Sequence, residues 1–444
     1  MPAETLTAQL AQAAHALYRQ PLPAEVEALQ RELLADTLLV AAAGRAQASS
    51  QALVAALPQA PGVSRVWFSD AGVAAADAAW INSLHAAALD FDSLNGSVHA
   101  DLVTLPAAWA VAEEQGATPA QMLRAYALAS ELVSRLARGS HGPSLGWSGT
   151  SIFGGMGAAL AAGLLLELSP EVLQHALGLA AVQAAGTQQA NVEKTLAKRL
   201  QPAFAVRAGV IAAYLARAGA SAPAEALEGR FGLRALYQPG DDCQLLDGFG
   251  EHWQLLDTQI KAYPVCACGH AAVQALLDLI EAHDIAPAEI VQISAQISPF
   301  MQRLVGGDFA VSGDLQVLAQ FNLRYQLASA VMRGPLTLAH LEPDAVSDPT
   351  LAPLLGCIEL KVDEHNSGEL APASVALRLR DGRVLFARCE ALPGSKQRPL
   401  TDAARRAKAC ACLAAAGLNP DEQTLAAQLA ACLDGPTLSA PWSM

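Results

Sequence analysis

The chain contains 444 residues, of which 52% are apolar and 16% are charged, and its net charge at neutral pH is -14. This composition excludes disorder as the main state and supplies enough apolar surface for a large buried core. The excess of carboxylates repels the phosphates of nucleic acids and the headgroups of anionic membranes. We therefore expect a globular protein of about two to three domains that binds neither nucleic acid nor membranes.

Neither a membrane span nor a secretory signal is predicted. Residues 154–166 are the best candidate for a span, but glycines interrupt them and they are shorter than the roughly 18 apolar residues that a span requires. Glu4 stands where a secretory signal would carry basic residues. We expect a cytoplasmic protein whose eight cysteines are reduced and form no disulfides.

Residues 5–230 are rich in alanine and leucine at helical spacing and poor in strand-forming residues. Two helix starts are marked by a hydroxyl residue directly before a proline, at Thr118 and at Ser169. Residues 154–169 are apolar on nearly every side, which predicts a helix buried among other helices. This half of the chain is predicted to be helical.

After about Ile260 the pattern changes to a mixture of strands and helices. Helical sequence lies at residues 271–283 and 321–333, and it resumes at Thr401 in helices that are expected to return to the first half. Asp381 and Gly382 form a hairpin-turn signal between the last two strands. Alternating apolar and polar residues predict four strands, at 288–297, 357–363, 373–380 and 384–391. The fold class is therefore mainly α, with a large all-helical part and a smaller α/β part.

The segment 89–106 brings Asp90, Asp92 and His99 close together in sequence, ahead of a helix expected to open near Pro106. Carboxylate and imidazole groups are the usual partners in general acid–base catalysis. The alternative is that the two aspartates cap turns and that the histidine is a polar surface residue. The segment is a candidate for proton transfer.

Lys194 and Lys198 are four residues apart, and they are expected to lie on one helical face beside Arg199. Such a basic spot in an acidic protein could hold carboxylate groups. A solvated helix face is the alternative for any pair of lysines at this spacing. The sequence alone favours the solvated face.

Cys266, Cys268 and His270 follow one another closely after Lys261. A zinc site needs three or four suitable ligands, and no second pair with matching spacing follows, so no metal site is predicted. A cysteine nucleophile would require a partner base that spacing does not reveal. The remaining alternative is a turn near Tyr263 with small cysteines packed at a helix start.

Glycines and hydroxyl residues also precede the buried helix, at residues 142–160. This segment has neither the lysine of a phosphate-binding loop nor the glycine spacing of a dinucleotide fold after a strand. A serine nucleophile in a strand–turn–helix elbow is not present either. Phosphate-containing cofactors are not indicated.

Taken together and in this order, several segments resemble the MmgE/PrpD family, whose members include 2-methylcitrate dehydratase, cis-aconitate decarboxylase and iminodisuccinate epimerase. The resemblance spans nearly the whole chain and depends on the order and spacing of segments that are individually unspecific. These segments are residues 81–93, 146–166, 194–219, 261–270, 319–334 and 399–411.

The resemblance implies a helical domain built from residues 1–261 together with 396–444, and an α/β lid domain of residues 262–395. It also implies a homodimer and chemistry without a metal or organic cofactor. Family members move a proton next to a carboxylate of a small polycarboxylate, and then lose water, lose carbon dioxide or return the proton. Lysines would bind the carboxylates and stabilise the developing negative charge, while aspartate, histidine or tyrosine would exchange the proton.

The resemblance also assigns roles to individual residues. His99 matches a family position only if one residue is deleted from the preceding loop. The expected catalytic residues are Asp90, His99, Lys198, Lys261, His270 and Tyr325. The expected substrate-binding residues are Ser148, Thr150, Lys194 and Cys266.

Three positions depart from the family pattern. Ser148 stands where members commonly carry a catalytic histidine, Leu94 stands where they carry a threonine, and Ser83 replaces a glycine. An unactivated hydroxyl does not replace an imidazole in acid–base chemistry near neutral pH. The histidines that could substitute are His85, His99 and His141.

The sequence therefore predicts a cytoplasmic, cofactor-independent lyase that removes or relocates an α-proton of a small di- or tricarboxylate. An epimerase or isomerase is the nearest enzymatic alternative, since it needs proton exchange but no acid for a leaving group. The alternative from another class is a catalytically degenerate homologue that only binds carboxylates. The serine at position 148 and the leucine at position 94 are what support that alternative.

Overall fold

The structure is a computed structural model that describes residues 4–140, 146–237, 239–368, 370–418, 431–435 and 438. The helices of the described residues are α1 (Leu6–Tyr18), α2 (Ala24–Arg45), α3 (Ala48–Ala55), α4 (Ala75–Ala87), α5 (Asp101–Gln115), α6 (Pro119–Arg138), α7 (Gly149–Leu165), α8 (Pro170–Ala181), α9 (Gln189–Val192), α10 (Ala197–Arg217), α11 (Leu233–Leu236), α12 (Asp242–Leu246), α13 (His270–His283), α14 (Pro299–Val305), α15 (Leu315–Gln320), α16 (Leu323–Arg333), α17 (Pro343–Val346), α18 (Ala352–Cys357) and α19 (Asp402–Ala415). The strands are β1 (Pro61–Arg65), β2 (Gly72–Val73), β3 (Ile290–Ile297), β4 (Ile358–Val362), β5 (Ala373–Leu379) and β6 (Val384–Cys389). Within these ranges no helix is both long and apolar enough to cross a membrane.

The predicted helical half is confirmed, including both helix starts. The Thr118 side chain accepts a hydrogen bond from the backbone of Gln121 and caps α6, and Ser169 caps α8 in the same way. The buried helix is α7, which is surrounded by α5, α6, α8 and α10. α10 approaches α7 closely, because a Cβ atom at Gly209 would lie 2.3 Å from the carbonyl oxygen of Gly155. Small residues at this crossing therefore position α10 and its first turn.

Three local predictions in this half are wrong. A short antiparallel hairpin, β1–β2, interrupts the helices where no strand was expected. Helix α5 begins at Asp101 and includes Pro106 rather than opening near it. Lys194 lies in the turn between α9 and α10 with a left-handed φ of +55°, so it does not share a helical face with Lys198. The proposed lysine pair fails because the helix begins after the first lysine.

The four strands predicted after Ile260 are all present in one sheet with the order β4-β3-β5-β6. β3 pairs with β4 in parallel, whereas β3–β5 and β5–β6 are antiparallel. The hairpin turn between β5 and β6 includes Gly382 with a φ of +89°, as its sequence indicates. α13 packs against β5 and β6. The fold is therefore mainly α, with a smaller α/β part.

Two large apolar clusters form the interior. One is built almost entirely from the helices up to α10, and the other lies around the sheet and α13–α16. The second cluster also includes Leu39 and Val40 of α2, Leu89 and Phe91 after α4, and Cys412 of α19. α19 packs directly against α2. The segment that follows α4 therefore lies where the two clusters meet, and this is where the candidate site is found.

Candidate active site

Asp90 lies in a tight turn after α4 and contacts two lysines that are distant in sequence. Lys198 comes from the first turn of α10, and its ammonium group binds Asp90 Oδ1. Lys261 precedes α13, and its Nζ lies 2.9 Å from the Asp90 carbonyl oxygen and 3.2 Å from Oδ1. The φ of Asp90 is +52°, which is uncommon for a residue other than glycine. The fold thus joins three of the predicted catalytic residues.

The charges of this group are strongly coupled. Burial by itself raises the pKa of Asp90, but Lys198 and Lys261 outweigh burial and hold the pKa well below its usual range. The same carboxylate, together with Asp92, raises the pKa of Lys261 although burial acts in the opposite direction. Asp90 is therefore a permanent carboxylate that orients two ammonium groups, rather than a proton-exchanging base near neutral pH.

His99 and Asp92 form a carboxylate–imidazole pair beside this group. His99 Nδ1 lies 2.5 Å from Asp92 Oδ2 and 3.2 Å from the Ser93 carbonyl oxygen. The backbone N–H of His99 donates to Thr150 Oγ1 at 3.0 Å, which connects the histidine to the first turn of α7. Burial raises the pKa of Asp92, but His99 outweighs it and the pKa is lowered. Asp92 is thus ionised and fixes the orientation of the imidazole ring.

Accessibility separates these residues into two sets. The side chains of Lys198 and His99 are each 16% exposed. Those of Asp90, Asp92 and Lys261 are 4%, 0% and 1% exposed. Lys198 and His99 are therefore the more exposed members of the cluster, while the buried residues hold them in place.

His270 and Cys266 lie close behind Lys261. Burial, with help from the Lys261 charge, lowers the pKa of His270 to about 3, so the ring is neutral. Its Nε2 lies 3.2 Å from the Val265 carbonyl oxygen and donates to it, because a carbonyl can only accept. Cys266 is buried and interacts electrostatically with Lys261. Both residues are therefore buried neighbours of Lys261 and are not among the partly exposed residues of the cluster.

The described contacts of the other predicted residues lie elsewhere. Tyr325 is buried, and its hydroxyl donates to the His340 carbonyl oxygen while its ring stacks on Phe309. Lys194 lines a separate small cavity of about 210 Å³ together with three acidic residues, Glu193, Asp308 and Asp314. The structure does not bring these two predicted site residues into contact with Asp90.

Ser148, which replaces the family histidine, is the N-cap residue of α7. Its hydroxyl is hydrogen bonded to the Ser151 hydroxyl at 3.1 Å. Of the three histidines that could substitute, His85 is buried, and burial together with Arg45 lowers its pKa to about 3. His141 lies outside the described residues. Of the candidates within the described residues, His99 is therefore the one that interacts with Asp90 of the lysine cluster.

Sequence reasoning left two supporting residues out of the site. Asp92 belongs to the segment that is a candidate for proton transfer, but it is not among the expected catalytic residues, and its spacing from His99 is the available signal. Gln320 precedes α16, and its Nε2 donates to the Leu89 carbonyl oxygen at 2.8 Å. Nothing in the sequence indicated that contact, because it joins residues 231 positions apart. In the described ranges, no group of three or more His, Cys, Asp or Glu residues could hold a metal ion.

The chain is similar in sequence to curated proteins named as cis-aconitate decarboxylases or as similar to them. Two proteins named cis-aconitate decarboxylase, from Aspergillus terreus and from its strain NIH 2624 / FGSC A1156, are each 28% identical to this chain. The alignments cover 62% and 61% of this chain but only 60% and 59% of those relatives. The cis-aconitate decarboxylase-like protein oryM of Aspergillus oryzae (strain ATCC 42149 / RIB 40) is 25% identical over 73% of both chains.

Family comparison covers more of the chain than these relatives do. The MmgE/PrpD N-terminal domain matches residues 8–246, which include Asp90, His99 and Lys198. The MmgE/PrpD C-terminal domain matches residues 263–434, which begin two residues after Lys261. Since the two matches together span most of its length, the chain belongs to the MmgE/PrpD family.

Proposed function

We propose that this protein is a cofactor-independent lyase that acts on a small di- or tricarboxylate, in the manner of a decarboxylase or dehydratase. The observation that carries the proposal is the contact of Asp90 with both Lys198 and Lys261, beside the Asp92–His99 pair. The names of the relatives support a tricarboxylate such as cis-aconitate as the first substrate to test.

In this proposal the lysines stabilise negative charge. When a proton or carbon dioxide leaves the carbon next to a carboxylate, its bonding electrons spread onto the remaining carboxylate oxygens. The Lys198 side chain is partly exposed, and its ammonium group is already oriented by Asp90. Preorganised cations in a site of low water content lower the energy of this charge distribution without reorganisation.

His99 moves the proton in the same proposal. Its Nδ1 is engaged by Asp92, which leaves Nε2 as the ring nitrogen that can take a proton from the substrate or return one. A buried carboxylate behind an imidazole stabilises the imidazolium form that results from proton abstraction. This role compensates for the serine at position 148.

The substrate would enter between the helical part and the α/β part. Asp90 and Lys198 belong to the helical half, while Lys261 lies directly before the α/β half, so the cluster sits at their boundary. This position is consistent with residues 262–395 acting as a lid domain over residues 1–261 and 396–444. We propose that Thr150 and Ser148, at the first turn of α7 beside His99, complete the site, and that His270 and Cys266 support Lys261 from within the core. Tyr325 and Lys194 have their described contacts elsewhere, so they are not part of this proposal.

An epimerase is the second candidate, and it requires proton-exchanging groups on both faces of the substrate carbon. His99 is partly exposed, whereas His270 is buried and donates to a carbonyl. The described cluster therefore offers one accessible imidazole, which favours a lyase. A carboxylate-binding protein without turnover is the third candidate, and the hydroxyl–hydroxyl bond of Ser148 in place of an imidazole contact supports it.

Proton NMR of the purified protein in deuterium oxide distinguishes these functions. The panel contains cis-aconitate, citrate, 2-methylcitrate, iminodisuccinate and tartrate-like hydroxy acids. A product that has lost water or carbon dioxide supports the lyase. Deuterium exchange with inversion at the substrate carbon, without loss of water or carbon dioxide, supports the epimerase. Thermal stabilisation by an acid without either change supports the binding protein. No product, no exchange and no stabilisation from any acid, with the protein folded, would contradict the proposal.

We also propose that the protein is a homodimer. Phe204, Ile211 and Leu215 lie along one face of α10 and are 54%, 37% and 45% exposed. Exposed apolar side chains aligned on a helix mark an interaction surface when they form a continuous patch. A second copy of this chain is the partner that the family resemblance suggests.

A further inference from the structure

Three consecutive carbonyl groups at the Asp90 turn each accept a hydrogen bond from a distant side chain. The Leu89 carbonyl accepts from Gln320 Nε2 at 2.8 Å, and the Asp90 carbonyl accepts from Lys261 Nζ at 2.9 Å. The Phe91 carbonyl accepts from Lys408 Nζ at 2.8 Å. Asp90 is left-handed, with a φ of +52°. A backbone conformation of this kind persists when surrounding contacts determine it.

Lys408 makes the third of these contacts from helix α19, far along the chain. Its ammonium group lies 2.6 Å from Asp36 Oδ1 on α2 and 4.3 Å from the centre of the Phe91 ring. The side chains of Lys408 and Asp36 are 4% and 8% exposed. Burial raises the pKa of Asp36, and the Lys408 charge opposes that rise without cancelling it. Removing these two charges from water therefore costs free energy. Because that cost can exceed the attraction between the charges, the presence of the pair does not by itself indicate that it stabilises the fold.

We infer that Lys408 is a positioning residue for the reaction, which holds the Asp90 turn through the Phe91 carbonyl. Asp36 fixes the Lys408 ammonium group, and Lys408 fixes the Phe91 carbonyl, which directly follows the carbonyl bound by Lys261. The carboxylate of Asp90 then points at Lys198 and Lys261 before substrate arrives. The catalytic consequence rests on the proposed lyase function, while the effect on the turn does not.

The same two helices supply a matched control. Arg405 of α19 binds Glu32 of α2, one helical turn away from the Lys408–Asp36 pair. The Arg405 and Glu32 side chains are 42% and 35% exposed, and the other described hydrogen bond of the Arg405 side chain is to the Leu400 carbonyl. This pair connects α19 to α2 without a described contact to the Asp90 turn. Its removal therefore tests the loss of a helix–helix ion pair alone.

The experiment compares two double variants of the full chain. Lys408→Met with Asp36→Leu removes both buried charges together, which preserves folding better than leaving one charge unpaired. Arg405→Met with Glu32→Leu is the control. Circular dichroism and thermal unfolding establish that each variant is folded at the assay temperature. Crystal structures then give the backbone at Asp90, and steady-state kinetics with the acid that wild type converts give kcat and KM.

We expect the Lys408 variant to lose the left-handed conformation of Asp90 or its contact with Lys198, and kcat to fall about 100-fold, as for misplaced catalytic groups. The control should keep the turn and a kcat within about twofold of wild type. A purely structural role would lower the melting temperature without changing kcat at a temperature where the variant is folded.

An unchanged Asp90 turn in the Lys408 variant would overturn the inference whatever the activity. A changed turn with wild-type kcat would overturn it as well, because the geometry would then be unnecessary for the reaction. If wild type converts no acid of the panel, the proposed lyase function fails, and the crystal structures alone decide whether Lys408 holds the turn.

Discussion

Lys261 binds Asp90 at two points, at the backbone carbonyl oxygen at 2.9 Å and at carboxylate Oδ1 at 3.2 Å. One ammonium group thus fixes both the path of the chain and the rotation of the side chain. Lys198 binds the same carboxylate from the first turn of α10, so the direction of the carboxylate is set as well. The cluster lies at the boundary between the two parts of the chain, and Lys198 is its partly exposed lysine.

Replacing Lys198 by methionine should abolish the proposed reaction with little effect on folding. The side chain keeps its length but loses the charge that would stabilise the transition state, so kcat should fall about 100-fold or more. Steady-state kinetics and thermal unfolding check this expectation. Lys361→Met is the control, because Lys361 lies on β4, is 56% exposed and pairs with Glu359. Comparable activity in the two variants would remove Lys198 from the site.

Asp92→Asn should impair proton transfer while leaving substrate binding intact. The amide cannot stabilise an imidazolium at His99 as a carboxylate does, so kcat should fall about 100-fold or more with a smaller change in KM. The dependence of kcat on pH should change at the same time, because the charge beside the imidazole is removed. An unchanged pH profile of kcat would show that His99 does not exchange the proton.

Thr150→Val should lower kcat about tenfold, because the His99 backbone N–H loses the oxygen that accepts it at 3.0 Å. The free energy of unfolding should fall by about 1 kcal/mol from the lost hydrogen bond. Thr150→Ser retains the hydroxyl and should restore most of the activity. If serine is no better than valine, the methyl group of Thr150 matters rather than the hydrogen bond.

Asp101→Asn should stabilise the protein at neutral pH but not at pH 4. Burial raises the pKa of Asp101 to about 6, although hydrogen bonds from Ser93 and Tyr126 act against the rise. The pKa of an aspartate in the unfolded chain is about 3.9. Protonated Asp101 therefore contributes stability that is fully present below pH 4. That contribution is lost as the pH rises through 6. The asparagine variant carries no such dependence.

The free energy of unfolding that wild type loses as Asp101 ionises has an upper limit of about 3 kcal/mol, at 1.36 kcal/mol for each pKa unit. Urea unfolding of both proteins between pH 4 and pH 8 measures it. The difference in free energy of unfolding, variant minus wild type, should increase across the range from pH 4 to pH 7. A difference that is flat or falls with pH would contradict the raised pKa of Asp101.

Phe204→Asp should convert the proposed dimer to a monomer. A carboxylate within an apolar interface is desolvated without a partner, which weakens association strongly. Light scattering coupled to size exclusion measures the mass. Val384→Asp is the control, since Val384 lies on the edge strand β6 and is 66% exposed. A wild-type protein that is already monomeric would exclude this interface.

Local patterns in the sequence were sufficient for most of the fold. The caps at Thr118 and Ser169 predicted helix starts correctly, because a hydroxyl acts on backbone groups only a few residues away. The four strands of the sheet followed from alternating residues, which reflect one buried and one solvated face. The hairpin β1–β2 was missed because its strands are short and mostly exposed, so they show no alternation.

Some candidate site residues predicted from the sequence meet in the structure, and others do not, because what sequence spacing indicates depends on where a helix begins. Asp90, Lys198 and Lys261 were named from the family resemblance, and the structure brings them together. Lys194 was paired with Lys198 by helical spacing, but a left-handed turn at Lys194 separates it from the helix. Spacing in sequence predicts a shared face only where the helix is continuous.

The sequence by itself determined the family, the helical and α/β parts, and the residue types that could move a proton and bind carboxylates. The tertiary structure decided which of these groups meet. It placed Gln320, Lys261 and Lys408, from three distant segments, on successive carbonyls of one turn. Contacts of this kind depend on the packing of helices and sheet across hundreds of residues, and local spacing carries no information about them. The partial exposure that distinguishes Lys198 and His99 from the buried members of the cluster arises from the same packing.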